Sequence, residues 1–369
     1  MKFTVSDLVR AARRDNNTKR PYLLVNPAQG KHIPVEPHTA LSVFGALGEQ
    51  VRQAIPDGQA VLVIAFAETA TAIGAAIAAA LPGTVYFMQT TRENVPNTDY
   101  LYFSETHSHA TEQRLCTRGL DDVLPKVQHI VFAEDEVTTG NTILHLIDAL
   151  CARYDLAHIT FGVASLLNGM TPESWEVYQN KGIWTRYLLA TDNAQLSETA
   201  ARFPADGDRF AVQSAHDLQA EHAQTPGLVD PRCVCAAETY YSACGALARK
   251  VVQLIPEDAA RVLVLGTEEC MYPGLIAGVA LERVGHDVRF HATTRSPILT
   301  DAHPDYPLHA RYELRSLYDA DRVTYLYNLD AYDHVCIVTD AQNPDKGLDT
   351  LLAALERTGN RSVTVLEWR

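Results

Sequence analysis

Residues 129–147 read H-I-V-F-A-E-D-E-V-T-T-G-N-T-I-L-H-L-I. An apolar run of strand length ends in two acids, Glu134 and Asp135, and a short loop of small hydroxyl residues then leads into an apolar helical pattern. A buried strand followed by a helix is typical of a parallel sheet, in which ligands bind at the carboxyl ends of the strands. This stretch therefore predicts a strand, a ligand-binding loop and a helix.

The loop at residues 138–142 has the composition of a phosphate-binding site. Small hydroxyl side chains and a glycine at a helix N-terminus expose backbone N–H groups, and the helix dipole favours an anion there. Glu134 and Asp135 would repel a phosphate, but they can accept hydrogen bonds from sugar hydroxyls one ribose length away. A ribose 5-phosphate with free 2- and 3-hydroxyls meets both demands. The other interpretation is an ordinary strand, turn and helix with a threonine-rich N-cap.

This stretch resembles the phosphoribosyl-pyrophosphate (PRPP) loop of type I phosphoribosyltransferases, in which an apolar strand and two acids precede T-T-G-x-T. The resemblance implies that Glu134 and Asp135 hold the ribose hydroxyls at the catalytic centre. The residues implied for the 5-phosphate site are Thr138, Thr139, Gly140, Asn141 and Thr142. Two positions depart from the family pattern, because Glu136 replaces a usually apolar residue and Asn141 replaces a common second glycine.

The first long apolar strand is followed by A-F-A-E-T-A-T-A-I-G, residues 65–74, which opens an alanine-rich helical pattern. This is the place of the family's pyrophosphate loop, so the resemblance implies that Ala67, Glu68 and Thr69 contact the leaving group. Glu68 would oppose pyrophosphate, so it points away, contacts Mg²⁺ or the base, or only serves as the N-terminal acid of the helix. Arg92, after the next strand, fits the family's cationic contact to pyrophosphate, and a solvated arginine is the alternative.

Residues 94–118 form a long polar stretch without a clear hydrophobic period. Loops of this length inside a compact domain are often active-site lids, and the family has a flexible closing loop in this place. His107 and His109 flank Ser108 in this stretch. We assign these two histidines as candidate catalytic residues that meet pyrophosphate or the base, with ordinary structural histidines as the alternative.

The chain also contains an internal repeat. Segments of one half match segments of the other in the same order, with offsets that rise only from 200 to 205 residues. The matched pairs are residues 44–69 with 244–270, 85–92 with 288–295, and 129–135 with 334–340. Strands that alternate with helices indicate a parallel sheet in each half. We therefore expect an α/β protein with two related parallel-sheet phosphoribosyltransferase-like units, the second of which is degenerate.

The second half keeps only part of the pattern. Thr339 and Asp340 replace the acid pair, and Pro344 and Asp345 fall in the loop that follows. Proline removes an amide donor and aspartate adds repulsion, so this half is not expected to hold a 5-phosphate in the same way. The string T-R-S-P at residues 294–297 resembles the TRSP domain, which is fused behind phosphoribosyltransferase-like domains in proteins associated with bacterial tellurium-resistance and stress gene clusters. The candidate residues of a second-unit cleft are Thr294, Arg295 and Ser296.

Composition narrows the function classes. The chain has 369 residues, of which 47% are hydrophobic and 21% charged, as expected for a globular protein of about two domains. Its formal net charge of −14 disfavours a nucleic-acid partner. The longest apolar stretch, residues 72–81, is too short to cross a bilayer. The start does not read as a secretory signal, and seven scattered cysteines fit free thiols, so we expect a cytoplasmic protein.

These observations predict a phosphoribosyltransferase-like catalytic domain over residues 1–200 and a TRSP domain over residues 220–369. The expected reaction is Mg²⁺-dependent attack of a nitrogenous base on PRPP with release of pyrophosphate, or its reverse, in the synthesis or salvage of a nucleotide-like metabolite. PRPP oxygens and water would hold Mg²⁺, with no direct protein ligand. The alternatives are a PRPP- or nucleotide-binding regulator and a non-catalytic subunit of a biosynthetic complex. A homo-oligomer or a pseudo-dimer within one chain is expected.

Overall fold

The computed structural model describes residues 3–15, 20–103 and 113–369 of the chain. Its strands are β1 (Arg10–Arg13), β2 (Tyr22–Val25), β3 (Val61–Ala65), β4 (Val85–Gln89), β5 (Tyr100–Tyr102), β6 (Arg114–Cys116), β7 (His129–Val137), β8 (Thr160–Asn168), β9 (Trp184–Ala190), β10 (Asp208–Phe210), β11 (Ala220–Thr225), β12 (Cys235–Ala236), β13 (Arg261–Gly266), β14 (Asp287–Ala292), β15 (Ala310–Arg315), β16 (Val323–Tyr327), β17 (His334–Thr339) and β18 (Val363–Trp368). Its α-helices are α1 (Val5–Leu8), α2 (Pro37–Arg52), α3 (Thr71–Ala80), α4 (Leu120–Val123), α5 (Asn141–Arg153), α6 (Pro172–Asn180), α7 (Asn193–Ala201), α8 (Ala237–Leu254), α9 (Met271–Arg283) and α10 (Asp345–Arg357). No helix within the described ranges is long and apolar enough to cross a membrane.

Two compact units divide the chain, and neither is continuous in sequence. The first unit is built mainly from Ser42–Thr191 and Val229–Ala243. The second unit is built from Thr4–Leu41, Asp192–Leu228 and Cys244–Arg369. The boundaries at 1–200 and 220–369 remain a prediction about domains that are continuous in sequence. The compact units in the structure each combine separate segments of the chain.

The first unit is a six-stranded sheet with the strand order β12-β4-β3-β7-β8-β9. All neighbours are parallel except β12, which pairs antiparallel with β4 at the edge. The sequence predicts strands at residues 60–66, 85–88 and 130–133, and these are confirmed as β3, β4 and part of β7. All five residues of β3 are buried, because helices cover both faces of a parallel sheet and a continuous apolar run suits that position.

Helix α3 lies against the middle of this sheet. Eight of its ten residues are buried, as expected for a helix that is apolar on every side. Gly74 permits the close approach, because a Cβ at that position would lie 2.4 Å from the Cβ of Ala65 on β3. Helix α3 therefore packs closely on β3, and this packing fixes the position of the loop that connects them.

The second unit has a five-stranded parallel sheet in the order β11-β18-β17-β13-β14. It also contains the β1-β2 hairpin and the small β10-β15-β16 sheet. The N-terminal segment belongs to this unit because Val35 forms an antiparallel bridge with Phe290 of β14. In the same segment, the buried Lys31 ammonium donates to the carbonyl oxygens of Glu268 and Thr293, at 3.3 and 3.0 Å. The chain is therefore mixed α/β, with a largely parallel sheet in each unit.

The polar stretch at residues 94–118 contains more order than its sequence indicates. Strands β5 and β6 pair antiparallel within it, in register from Tyr100 opposite Cys116 to Tyr102 opposite Arg114. Strands of three residues are too short to show a period of two, which explains why the sequence gives no signal for them. His107 and His109, the candidate lid histidines, lie outside the described residues.

Candidate active site

The acidic residues after the apolar run lie within β7 itself. Glu134 is in register with Ser165 of β8, and Glu136 is in register with Leu167. The strand therefore runs four residues beyond the predicted run, to Val137. Backbone amides contact the acid side chains, since the Asp135 N–H donates to Glu134 Oε2 at 3.2 Å and the Glu136 N–H donates to Asp135 Oδ1 at 2.8 Å. All three acid side chains are half-buried at the carboxyl edge of the sheet.

Burial sets the electrostatics of this acid cluster. It raises the pKa of the Glu134 carboxyl well above its ordinary value, and repulsion from the Asp135 carboxylate raises it further. A carboxyl that resists ionisation can donate as well as accept a hydrogen bond. Such a group is suited to pairing with sugar hydroxyls.

The loop at residues 138–142 connects β7 to α5. Gly140 has φ +73° and is the N-cap of α5, a left-handed conformation that glycine adopts at no steric cost. The side chains of Thr139, Asn141 and Thr142 are exposed, and that of Thr138 is half-buried. The first amides of a helix have no backbone acceptor within it. Here the Asn141 N–H donates to Thr139 Oγ1 at 3.4 Å, a long contact that a bound anion could replace. The predicted 5-phosphate residues are thus contiguous, and all of them except the buried Gly140 are accessible.

The loop after β3 leaves the sheet beside the loop after β7. Ala65 and Ala133 are in parallel register, and the Phe66 N–H donates to the Ala133 carbonyl at 3.0 Å. The Ala67 N–H donates to Thr90 Oγ1 at 2.8 Å, and the Ala67–Glu68 peptide is cis. The backbone of this loop is therefore held by the strand on either side of it.

Two candidate pyrophosphate residues differ in exposure from their expected roles. Glu68 is buried, with 8% of its surface exposed, and its carbonyl accepts from Thr71 Oγ1 at 3.2 Å. Arg92 follows the fully buried Thr90 and Thr91 after β4, and it is half-buried rather than solvated. Because β4, β3 and β7 are adjacent and parallel, Arg92 lies at the same sheet edge as the other two loops. The structure thus brings together at one edge the three predicted loops that lie within its described residues.

In the second unit, Arg295 contacts an internal carboxylate. Its Nε lies 2.7 Å from Glu268 Oε2, and Nη1 of Arg322 lies 3.0 Å from the same oxygen. Ser316 Oγ donates to Glu268 Oε1 at 2.5 Å. Glu268 is 1% exposed, so this cluster is a buried, hydrogen-bonded ion network.

The other candidate cleft residues of the second unit have backbone roles. Thr294 forms an antiparallel bridge with Tyr325, whose carbonyl accepts from the Thr294 N–H at 2.9 Å. The Ser296 N–H donates to Thr294 Oγ1 at 3.2 Å. The acid after β17, Asp340, accepts a hydrogen bond from the Tyr318 hydroxyl at 2.5 Å. Several polar groups at this edge of the second unit are therefore paired within the unit.

Sequence reasoning missed residues that act on the site from distant positions. Tyr178 in α6 donates to the Gly140 carbonyl at 2.9 Å, and Thr90 accepts from the Ala67 amide. Arg322 and Ser316 complete the network around Glu268 in the second unit. Tyr178 and Ser316 lie in no local motif. The signal for Thr90 is only that it is a polar residue directly after the apolar strand β4.

Mg²⁺ is the ion that the family resemblance implies for the acid cluster. Within the described parts of the chain, no group of three or more His, Cys, Asp or Glu side chains is arranged to hold a metal. Mg²⁺ keeps several waters and commonly binds through one or two carboxylates plus substrate phosphates. The half-buried carboxyl group of Asp135 can accept hydrogen bonds from the waters of such an ion, so the residues present fit Mg²⁺ that is held by PRPP oxygens and water.

Family models match both parts of the chain. The family described as phosphoribosyl transferase matches residues 8–187, and the family described as the TRSP domain C-terminal to it matches residues 236–355. Residues 8–187 therefore form a domain of this phosphoribosyltransferase family. The TRSP match starts in the second segment of the first unit and continues through most of the second unit. This phosphoribosyltransferase is therefore a transferase domain followed by a TRSP domain.

Solved structures similar to this phosphoribosyltransferase include adenine phosphoribosyltransferases. The enzyme from Rhodothermus marinus has 12% sequence identity, with 51% of this chain and 96% of that chain covered and a TM-score of 0.33. The enzyme from Giardia lamblia, complexed with 9-deazaadenine, has 13% identity, 52% and 99% coverage and a TM-score of 0.35. A hypoxanthine phosphoribosyltransferase from Staphylococcus aureus has 11% identity, 44% and 78% coverage and a TM-score of 0.27. At these scores the similarities carry no argument about substrate, and no curated protein matches the sequence.

Proposed function

We propose that this phosphoribosyltransferase transfers the phosphoribosyl group of PRPP to a nitrogenous base and releases pyrophosphate, or catalyses the reverse reaction. One observation carries the proposal. The acids near the end of β7 directly precede an exposed loop, which leads into α5 through the N-cap Gly140. Groups that can accept hydrogen bonds from sugar hydroxyls are therefore followed along the chain by groups that can donate hydrogen bonds to a phosphate. A phosphorylated pentose requires both groups in this order.

The sugar end of PRPP is assigned to β7 and the loop that follows. Glu134 and Asp135 bind the ribose 2- and 3-hydroxyls as catalytic residues, and residues 138–142 bind the 5-phosphate through amides and hydroxyls. Exposure of the loop side chains supports this assignment, because a ligand can reach them without rearrangement of the core.

The pyrophosphate end is assigned to the loops after β3 and β4. The backbone at Ala67 and Thr69 contacts pyrophosphate, and Arg92 neutralises part of its charge. The adjacency of β4, β3 and β7 supports this, because the three loops emerge at one edge. Glu68 is buried, so its carboxylate is not placed on the surface that pyrophosphate would contact. We therefore assign the contact of Glu68 with pyrophosphate to its backbone rather than to its carboxylate. The roles given to His107 and His109 remain sequence predictions.

The reaction needs no covalent nucleophile. The bond from C1 of the ribose to pyrophosphate breaks as a base nitrogen forms its bond to C1, and the base loses a proton. Residues of this chain hold the ribose and the leaving group in one geometry, which lowers the entropic part of the barrier. Mg²⁺, held by PRPP oxygens and water, would supply charge neutralisation on the leaving pyrophosphate.

We further propose that the second unit is a degenerate copy that binds no PRPP. The strand order β14-β13-β17-β18 repeats the order β4-β3-β7-β8 of the first unit. Arg295 occupies the sequence position that matches Arg92, and it is paired with the internal carboxylate of Glu268. The Glu268 carboxylate already pairs with the arginine side chains that a bound pyrophosphate would need for its own charge.

The experiment is release of pyrophosphate on incubation of the full chain with PRPP, Mg²⁺ and a panel of purine and pyrimidine bases. We expect release with at least one base, and tighter binding of PRPP with Mg²⁺ than without it. The variant Asp135→Asn should weaken PRPP binding by about 10- to 150-fold, because a charge-assisted hydrogen bond to a ribose hydroxyl contributes about 1.5–3 kcal/mol. Unchanged affinity and turnover in this variant would remove the assigned sugar contact.

The same experiment separates the transferase from a PRPP-binding regulator. The carboxylates of Glu68 and Glu136, at positions where the family pattern has other residues, favour the regulator as a second candidate. PRPP binding without pyrophosphate release across the whole panel would support it. Absence of PRPP binding in calorimetry with Mg²⁺ present would overturn both.

A further inference from the structure

Tyr178 lies beneath the loop that precedes α5. It belongs to α6, is 0% exposed, and donates its hydroxyl proton to the Gly140 carbonyl at 2.9 Å. The same carbonyl also accepts the first helical hydrogen bond of α5, from the Leu144 N–H at 3.1 Å. Both lone pairs of this oxygen are therefore used, and the orientation of the Gly140 peptide is defined from two directions.

The ring of Tyr178 also fills the space beside Gly140. A Cβ on residue 140 would lie 2.2 Å from the Tyr178 hydroxyl oxygen and 2.6 Å from the ring carbon that carries it. Glycine at this position is thus required by the tyrosine as well as by its φ of +73°. The two residues form one packed unit, although they are 38 positions apart in the sequence.

The chain between β8 and α6 contacts the start of the loop as well. The Gly169 N–H donates to the Val137 carbonyl at 2.8 Å, one residue before the loop begins. The Asn168 side chain accepts from the Met170 N–H at 3.0 Å and so orders this connection. The segment from residue 169 to Tyr178 therefore contacts the chain just before the loop and at the centre of the loop.

The hydroxyl of Tyr178 remains a donor over the physiological pH range. Burial raises the pKa of Tyr178 above its ordinary value, and the nearby Glu134 carboxyl would raise it further whenever it is ionised. Loss of the phenolic proton would place a second negative charge near the acid cluster, which the buried site disfavours. The hydrogen bond to Gly140 thus has a fixed direction.

We propose that Tyr178 is a positioning residue that orients the loop at residues 138–142 for the 5-phosphate of PRPP. The proposal rests on the proposed function of that loop. The 5-phosphate does not change during transfer, so its contacts are equally strong in the ground state and the transition state. Weaker orientation of the loop should therefore raise KM for PRPP and leave kcat unchanged.

The test compares Tyr178→Phe with Tyr154→Phe in the full chain. Tyr154 is the C-cap of the same helix α5, and its hydroxyl has no hydrogen-bond partner within the described residues, so its removal is a matched control. We expect Tyr178→Phe to raise KM and Kd for PRPP about fivefold, the effect of one hydrogen bond of about 1 kcal/mol. We expect kcat and the inhibition constant of inorganic pyrophosphate to stay within twofold, and Tyr154→Phe to change none of these values.

A purely structural role would lower Tm and the active fraction, but would leave KM of the folded enzyme unchanged. Equal KM values in Tyr178→Phe and the wild type would overturn the Tyr178 proposal alone. Absence of PRPP binding by the wild type would overturn the proposed function together with it. If Tyr178→Phe fails to fold, 3,5-difluorotyrosine at position 178 preserves the shape and gives a more acidic phenol. A stronger donor should hold the Gly140 carbonyl at least as well, so KM for PRPP at neutral pH should be equal to or lower than in the wild type, and a raised KM with an unchanged Tm would contradict the proposal.

Discussion

Replacement of Gly140 by alanine should lower the unfolding free energy more than replacement of a glycine with the same backbone conformation but no close neighbour. Gly140 has φ +73°, and an alanine in the left-handed region costs about 1–2 kcal/mol. The added Cβ would also lie 2.2 Å from the Tyr178 hydroxyl oxygen, a contact that forces movement of a fully buried ring. Overpacking of this kind costs about 1–3 kcal/mol more. Gly140→Ala should therefore cost about 2–5 kcal/mol in total.

Gly182→Ala is the matched control. Gly182 has φ +68°, nearly the same backbone conformation, but a Cβ there meets no atom within 4 Å. This substitution should cost only the backbone contribution of about 1–2 kcal/mol. The difference between the two variants isolates the contact with Tyr178, and reversible urea unfolding of both proteins measures it.

Binding provides a second measurement on the same pair of variants. Calorimetry with PRPP and Mg²⁺ should find weaker binding in Gly140→Ala and unchanged binding in Gly182→Ala, because only Gly140 lies in the loop assigned to the 5-phosphate. Equal unfolding free energies in the two variants would refute the packing argument. Unchanged PRPP affinity in a folded Gly140→Ala protein would refute the assignment of this loop to the 5-phosphate.

Two further predictions concern the charged clusters. Glu268→Gln should lower the unfolding free energy by about 3–5 kcal/mol, because it leaves the guanidinium groups of Arg295 and Arg322 without their buried carboxylate. The variant should leave KM for PRPP unchanged. A loss of PRPP affinity in the folded variant would contradict the proposal that the second unit binds no PRPP. Because the folded-state pKa of Glu134 is raised above its ordinary value of 4.5, the folded state holds the proton longer than the unfolded state, and stability should fall as pH rises from about 4.5 towards the raised value. Glu134→Gln should remove this decline, so Tm measured from pH 5 to pH 8 should fall less in the variant, and parallel Tm curves would refute the assignment.

If the second unit is the degenerate copy that we propose, its buried ion network accounts for the loss of PRPP binding there. Arg295 and Arg322 both contact Glu268, whereas a ligand-binding cation must have its charge available to the ligand. The buried Lys31 also donates to the Glu268 carbonyl from the N-terminal segment, so the backbone of that residue is held as well. Internal hydrogen bonds thus replace the contacts that a bound anion would make, which predicts a stable and rigid edge in this unit.

The sequence alone determined the local elements of this protein. Continuous apolar runs predicted β3, β4 and the buried part of β7, because a strand covered on both faces has no polar side to show. The order of acids, hydroxyl residues and glycine around residues 134–142 predicted the candidate site, since neighbours on one loop contact the same ligand. These features depend on interactions between residues close in the chain, which local patterns record.

Only the tertiary structure decided which distant residues support the site. Tyr178 contacts Gly140 across 38 positions, and Glu268 contacts Ser316 and Arg322, which are distant from it in the sequence. The N-terminal segment joins the second unit through the bridge between Val35 and Phe290. Such contacts arise when the sheets assemble and bring separate strand ends to one edge. A periodic pattern records which residues are buried but not which partners they meet, so these roles could not be derived from the sequence.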